Sequence, residues 1–182
     1  MEKDRNYIND YVKLIIISGP ELFSYIYNKK GNDLEQWLLP YAMNNKSYFA
    51  HEYSICEDED GRLKGMILAM PVTKMKSMTK NELYFIRNNL ETLLKLIIYL
   101  MKMMYRMRII LRYPKLNNDE YYITNLAVFE AYRGQGIASK LMLQAEENAR
   151  KAGLNKMSLF VEIDNENAIK LYEKLGYQIT LE

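Results

Sequence analysis

The stretch Asn125-Leu-Ala-Val-Phe-Glu-Ala-Tyr-Arg-Gly-Gln-Gly-Ile-Ala-Ser139 decides the fold class of this chain. The alternating residues 121–128 predict a strand, and residues 136–152 predict a helix. The glycines between them let the backbone turn tightly and leave amide N–H groups bare. The helix start adds unpaired N–H groups and the positive end of its dipole. This loop therefore predicts an anion cradle for a phosphate or pyrophosphate.

The loop differs from two common phosphate-binding motifs. It is not a P-loop, because no Gly-Lys-Ser/Thr follows. It is not the dinucleotide fingerprint Gly-x-Gly-x-x-Gly, because Ser139 occupies the third position. On its own the pattern Arg-x-x-Gly-x-Ala is weak, and a glycine-rich helix entry without a ligand is an equal alternative.

The surrounding elements alternate between strand and helix. After the loop helix, residues 156–163 predict a strand, 166–175 a helix and 177–181 a short final strand. Earlier, residues 47–57 and 63–70 predict a hairpin around the turn 58–61. This order predicts an α/β fold in layers.

Three motifs in family-like order resemble the GNAT superfamily of acyl-CoA-dependent N-acetyltransferases. They are the strand Asn125-Leu-Ala-Val128, the glycine loop, and the segment Asn165-Glu-Asn-Ala-Ile-Lys-Leu-Tyr-Glu-Lys-Leu-Gly-Tyr177. The resemblance covers residues 119–179, the expected cofactor-binding core. It implies one acyltransferase domain over residues 1–182, with a mixed central sheet flanked by helices.

The resemblance also implies roles for individual residues. Leu126 and Val128 would pair with the pantetheine arm of acetyl-CoA as if it were an added strand, and the Leu126 amide would polarise the acetyl carbonyl. Asn167 would contact the cofactor arm, and Tyr172 would protonate the leaving thiolate. The pyrophosphate loop would consist of Arg133, Gly134, Gln135, Gly136, Ile137, Ala138 and Ser139. The simpler alternatives are a helix N-cap for Asn167 and a core side chain for Tyr172.

Glu120 is the candidate general base. Its placement resembles that of the basic glutamate in the ribosomal-protein N-terminal acetyltransferases, and Tyr122 shares its strand face. The alternative is a solvated residue at a strand start, with the amine losing its proton to water. Acetyl transfer needs no covalent intermediate, so Cys56 is predicted to be inert and His51 to be an ordinary strand residue.

The N-terminal third predicts helices. Ile8, Tyr11, Val12 and Ile15 recur at helical spacing, Pro20 suits the start of a second helix, and Asp33 is expected to cap a third.

Two features depart from the family pattern. Residues 79–112 predict an extra helical insertion between the third and fourth strands: a helical layer or dimer surface, a lid, or a basic face on a membrane. The printed sequence stops barely past the sixth predicted strand, so the seventh is expected to be short or missing.

Composition argues against several other classes of function. The chain has 182 residues, with 25 Lys plus Arg against 23 Asp plus Glu, so no strong basic footprint predicts nucleic-acid binding. One cysteine and one histidine predict neither a disulfide framework nor a metal site. A polar N-terminus and the lack of a long apolar run predict a cytoplasmic protein that does not associate with a membrane.

The function predicted from these observations is transfer of an acetyl group from acetyl-CoA to a primary amine by direct attack in a ternary complex. The acceptor would be a small-molecule amine or a protein N-terminus, and a homodimer is compatible with the apolar face of residues 83–104. The alternatives are an acyl-CoA-binding sensor without catalysis and a helical interaction protein whose glycine loop is incidental.

Overall fold

The described part of the chain comprises residues 5–27, 29–47, 49–78 and 116–180 of a computed structural model. Residues 72–78 are helical. The helical insertion predicted for residues 79–112 lies outside the described residues.

Three helices form the N-terminal part, as the periodicity predicts: α1 (Arg5–Ile17), α2 (Pro20–Tyr27) and α3 (Gly31–Met43). The apolar stripe of α1 is buried, with Tyr11 and Ile15 both fully enclosed. Because these side chains share one face of the helix, that face packs against the rest of the molecule.

The start of α3 differs from the sequence prediction. Lys30 occupies the N-cap position without a side-chain hydrogen bond, and Asp33 lies inside the first turn. The helix begins earlier than expected, at Gly31, which has a positive φ of 53°. Asp33 therefore does not cap α3, although its carboxylate still lies near the positive end of the helix dipole.

Within the described residues, the sheet contains four strands in the order β1 (Ser54–Glu59), β2 (Arg62–Pro71), β3 (Glu120–Val128) and β4 (Lys156–Leu159). The first three are antiparallel neighbours, and β4 runs parallel to β3. The predicted hairpin is present, but β1 begins later than expected because residues 51–53 form a 3₁₀ turn.

Two helices complete the layers: α4 (Ile137–Lys151) after the glycine loop and α5 (Glu166–Lys174) after β4. The predicted strand at 156–163 ends at Leu159, and the described part of the predicted final strand, residues 177–180, is not in a strand. The N–H of Tyr177 donates to the carbonyl oxygen of Tyr172 (3.0 Å), so the chain here closes the end of α5 instead of starting a ladder.

The sheet has a buried cluster on each face. On one face β2 packs against α1 and α3, through residues that include Leu14, Leu38, Met66 and Leu68. On the other face β2 and β3 pack against α4, through residues that include Ile67, Ile123, Leu141 and Met142. We call these the α1 face and the α4 face.

Gly65 of β2 allows α4 to approach the sheet closely. A Cβ at this position would lie 3.0 Å from the carbonyl oxygen of Ala127 and 3.2 Å from a methyl carbon of Ile137. We expect Gly65→Ala to destabilise the chain by about 1–3 kcal/mol, because the backbone oxygen has no room to move aside. Thermal unfolding checks this.

Gly19→Ala is the matched control for that variant. A Cβ at Gly19 meets its nearest atoms at 3.9 Å, an ordinary contact distance. An equal loss of stability in both variants would contradict the steric explanation for Gly65.

Candidate functional site

A β-bulge interrupts the pairing of β3 with β2 just after the last residue of β3 that pairs with β4. Leu68 pairs with Asn125 and the next residue, Ala69, pairs with Ile123, so Thr124 is the extra residue. Its hydroxyl donates to the carbonyl oxygen of Leu68 (2.9 Å). Because a bulge bends its strand, the position marks where β3 leaves its parallel neighbour.

The pairing of β3 with β4 stops at this bulge. The register runs from Glu120 opposite Lys156 to Ile123 opposite Leu159, whereas β3 continues to Val128. Among the described residues, 124–128 therefore pair with no strand on this edge, and we call this unpaired edge the gap. They keep their pairing with β2 on the other edge.

The N–H groups of Leu126 and Val128 point into this gap. The N–H of Phe129 donates to the carbonyl oxygen of Lys64 in β2 (2.9 Å). Because alternate residues of an antiparallel strand bond to the same side, Ala127 also faces β2, and Leu126 and Val128 face the opposite edge. These two amides are the ones that the resemblance assigns to the pantetheine arm.

The glycine loop at the end of β3 places bare amides at the start of α4. Gly134 and Gly136 have φ values of 77° and 78°, which L side chains rarely adopt. The first N–H bonded within the helix region is that of Lys140, to the carbonyl oxygen of Gly136. Among the described residues, no acceptor faces the N–H groups of residues 137–139, and Gly136 supplies no cap.

Two side chains of the loop contact backbone carbonyl groups that precede it. Arg133 Nε donates to the carbonyl oxygen of Val128 (3.2 Å), and Gln135 Nε2 lies 3.5 Å from that of Ala131. A Cβ built on Gly134 or Gly136 would meet nothing within 4 Å. The cradle is thus open, and its donors are backbone amides with the helix dipole behind them.

Helix α5 carries Asn167 and Tyr172. Asn165, not Asn167, is the N-cap of this helix, its side chain accepting from the N–H of Ala168 (3.2 Å). The N-cap alternative for Asn167 is therefore wrong, and Asn167 lies exposed in the first turn.

Tyr172 packs against the α4-face cluster, with its ring centroid 6.0 Å from that of Tyr177. Burial raises the pKa of Tyr172 to about 12, because the phenolate would lose its hydration. The phenol therefore keeps its proton throughout the neutral range.

Glu120 lies at the far end of β3 from the loop. Leu126 lies six positions further along the chain, about 20 Å along a strand. The structure therefore does not bring this carboxylate to the Leu126 amide.

Glu120 is not a solvated residue either. It is 4% exposed and accepts hydrogen bonds from Asn117 (2.6 Å), Lys156 (2.7 Å) and Ser158 (2.7 Å). Burial alone would raise the pKa of Glu120, but these three donors outweigh it and lower the pKa to about 2.

The remaining polar residues singled out from the sequence lie away from the gap. Cys56 is on β1, two strands from β3, and His51 precedes that strand with its Nδ1 3.0 Å from the carbonyl oxygen of Ala42. Glu59 of the acidic turn is paired with Lys64 (2.8 Å). Within the described residues, no group of His, Cys, Asp and Glu side chains is arranged to hold a metal ion, and no helix is long and apolar enough to cross a membrane.

A sequence model of the "Acetyltransferase (GNAT) family" matches residues 20–177. The chain belongs to the GNAT family. This match spans α2, α3, the sheet, the loop and α5 but not α1, so the family resemblance of residues 119–179 extends over most of the chain.

Curated relatives match about a third of this GNAT chain. It is 38% identical to the uncharacterized N-acetyltransferase YdgE of Bacillus subtilis over 61 residues, 34% of this chain and 39% of that protein. It is 43% identical to N-alpha-acetyltransferase 30 of Schizosaccharomyces pombe over 56 residues, 31% of this chain and 39% of that one. The chain thus spans about two fifths of the length of these relatives.

Solved structures support the fold across the whole chain. An N-acetyltransferase from Staphylococcus aureus Mu50 matches with a TM-score of 0.65 and 22% identity, over 96% of this chain and 87% of that chain. At that identity the likeness establishes the GNAT fold.

Proposed function

We propose that this GNAT chain transfers the acetyl group of acetyl-CoA to a primary amine by direct attack in a ternary complex. The observation that carries the proposal is the gap between β3 and β4, which has two inward amides and leads to an anion cradle. The gap suits an extended amide-bearing arm, and the cradle suits a pyrophosphate. The two features adjoin through residues 128–136.

The residues present fit acetyl-CoA as donor substrate. The N–H groups of Leu126 and Val128 would pair with the amides of the pantetheine arm, and those of residues 137–139 would bind the pyrophosphate. Asn167, exposed at the start of α5, would contact the arm. Arg133 and Gln135 would support the loop through the carbonyl groups that they already contact.

The chemistry needs few side chains. The thioester is already activated, so holding the amine nitrogen in line with the carbonyl carbon supplies much of the rate. The Leu126 N–H would stabilise the charge that develops on the carbonyl oxygen as the C–N bond forms. Tyr172 would donate a hydrogen bond to the sulfur as the C–S bond breaks, and water would take the proton lost by the amine.

Glu120 is proposed as a positioning residue that holds β3 and β4 together below the gap. Its distance from Leu126 and its three donors support this role over that of a base. A carboxyl group with a pKa of about 2 also accepts a proton poorly at neutral pH.

We expect Glu120→Gln to lower the free energy of unfolding by about 1–2 kcal/mol while leaving the pH dependence of acetyl transfer unshifted. Since the folded pKa lies below the ordinary 4.5, the carboxylate stabilises the fold above pH 4.5, and this contribution fades as the pH falls towards 2. Unfolding curves from pH 7 to pH 2 should therefore fall less steeply for the Gln variant. A variant that folds normally but loses its rate and its acid limb would instead identify Glu120 as the base.

Isothermal titration with acetyl-CoA, followed by thiol release with a panel of amines, tests the proposed function. The panel contains a polyamine, an aminoglycoside, free amino acids and a peptide with a free N-terminus. Saturable binding together with thiol release that depends on one class of amine is the expected result. Binding without release on any amine would favour the sensor, and the absence of binding to the folded chain would rule out both acyl-CoA functions.

A further inference from the structure

The side chain of Asn125 links the bulge in β3 to the corner between α1 and α2. Asn125 is 6% exposed, and its Nδ2 donates to Ser18 Oγ (2.7 Å). The Ser18 hydroxyl in turn donates to the carbonyl oxygen of Ile15 (2.6 Å). A hydroxyl has a single proton, so Ser18 Oγ can only accept from Asn125. The amide nitrogen therefore faces Ser18, and the amide oxygen Oδ1 faces away from it.

The Oδ1 atom of Asn125 faces no hydrogen-bond donor from the described residues. Two side-chain atoms of the described residues are fully enclosed and lack a hydrogen-bond partner, namely Tyr11 Oη and Gln144 Oε1. Asn125 Oδ1 is not one of these two atoms. It is therefore an oriented hydrogen-bond acceptor for which the described residues supply no donor. An acceptor held in this way suits an N–H donor from a ligand.

The bulge also decides which face of the sheet Asn125 occupies. Before the bulge, Tyr121 and Ile123 lie on the α4 face; after it, Leu126 and Val128 lie there. Asn125 and Ala127 lie on the α1 face. The oriented amide thus adjoins Leu126 but faces away from the anion cradle, which belongs to the α4 face.

We infer that Asn125 orients the acceptor amine, its Oδ1 accepting a hydrogen bond from the attacking nitrogen on the α1 face while Ser18 holds the amide in place. This assignment rests on the proposed acetyl transfer. One N–H directed to Oδ1 leaves the nitrogen lone pair free for the carbonyl carbon beside the Leu126 N–H. An uncharged amide also stabilises the reactive neutral amine without favouring ammonium, as a carboxylate would.

The test compares Asn125→Leu with Ser18→Ala. The probes are acetyl-CoA, for binding, and hydroxylamine, a nucleophile too small to need a shaped pocket, for transfer above a protein-free blank. Asn125→Leu removes Oδ1 and should lower the transfer rate about 30-fold with acetyl-CoA affinity unchanged. Ser18→Ala keeps Oδ1 and should lower the rate only about 3-fold.

The pH dependence of acetyl transfer in Asn125→Asp distinguishes a role at the amine from a purely structural role. A carboxylate beside the nitrogen favours its protonated form, so the pH of half-maximal transfer should rise. An unshifted profile would overturn the inference. So would equal losses in Asn125→Leu and Ser18→Ala, or a parallel loss of acetyl-CoA binding in Asn125→Leu.

Failure of the proposed function is visible separately, in the unaltered chain. The unaltered chain could bind acetyl-CoA but transfer no acetyl group to hydroxylamine or to the amine panel. That result would contradict both the catalytic proposal and the role of Asn125, while supporting the cofactor site. Failure of the inference alone is visible only in the variants, against an active parent.

Discussion

Gly136→Trp is expected to weaken acetyl-CoA binding at least 100-fold while the chain stays folded. The indole would fill the open space in front of residues 137–139, where a Cβ now meets nothing within 4 Å. The backbone of the new tryptophan would also have to adopt a φ of 78°, which costs an L residue about 1–2 kcal/mol. Steric exclusion of the pyrophosphate and distortion of its amide donors therefore act in the same direction. Isothermal titration with acetyl-CoA measures the loss.

Gly153→Trp is the matched control, because it lies at the other end of the same helix. Gly153 has a φ of 72°, and a Cβ there also meets nothing within 4 Å. The two variants share the backbone strain and the added bulk but differ in their distance from the cradle. Affinity should be lost in Gly136→Trp alone, and unchanged affinity in that variant would show that the cradle is not the cofactor site.

The elements around the cradle are those that the sequence predicts best. Alternation over 121–128 and helical periodicity over 136–152 match β3 and α4 to within one residue at each end. The glycines at 134 and 136 do have the positive φ values that a tight turn into a helix needs. Such signals are local, because each depends on a few neighbouring side chains.

The bulge could not be predicted in this way. A strict alternation from Tyr121 places Asn125 on the α4 face, but the extra residue Thr124 moves it to the α1 face. The alternating sequence pattern does not mark a bulge, yet one extra residue moves every later side chain of the strand to the opposite face. The link from Asn125 to Ser18 spans 107 positions, so no local pattern contains it.

The burial of Glu120 could not be predicted from the sequence for the same physical reason. An acidic residue at a strand start is normally solvated, and the family resemblance favoured a base. Its partners, Lys156 and Ser158, come from β4, which the parallel pairing brings alongside. Only the pairing of distant strands shows that this carboxylate is buried and engaged.

Tyr172→Phe is expected to lower the rate of acetyl transfer roughly 30- to 100-fold without changing acetyl-CoA affinity. A loss of this size corresponds to the removal of one hydrogen bond to a charged group. With its pKa raised to about 12, the phenol keeps the proton that the proposed hydrogen bond to the departing sulfur needs. Since ionisation of Tyr172 occurs only near that pH, the unaltered chain should show no loss of activity from this group below pH 10. A rate profile measured up to pH 10 with both proteins checks this.

Tyr177→Phe is the matched control for Tyr172→Phe. Its ring packs against the same cluster, 6.0 Å from that of Tyr172, and its hydroxyl lies 3.6 Å from Met157 Sδ. Because each substitution removes one hydroxyl from the same cluster, a comparable loss of packing affects both. A rate loss confined to Tyr172→Phe therefore reports on the leaving thiolate, whereas equal rate losses in the two variants would show that these hydroxyls serve only to support the fold.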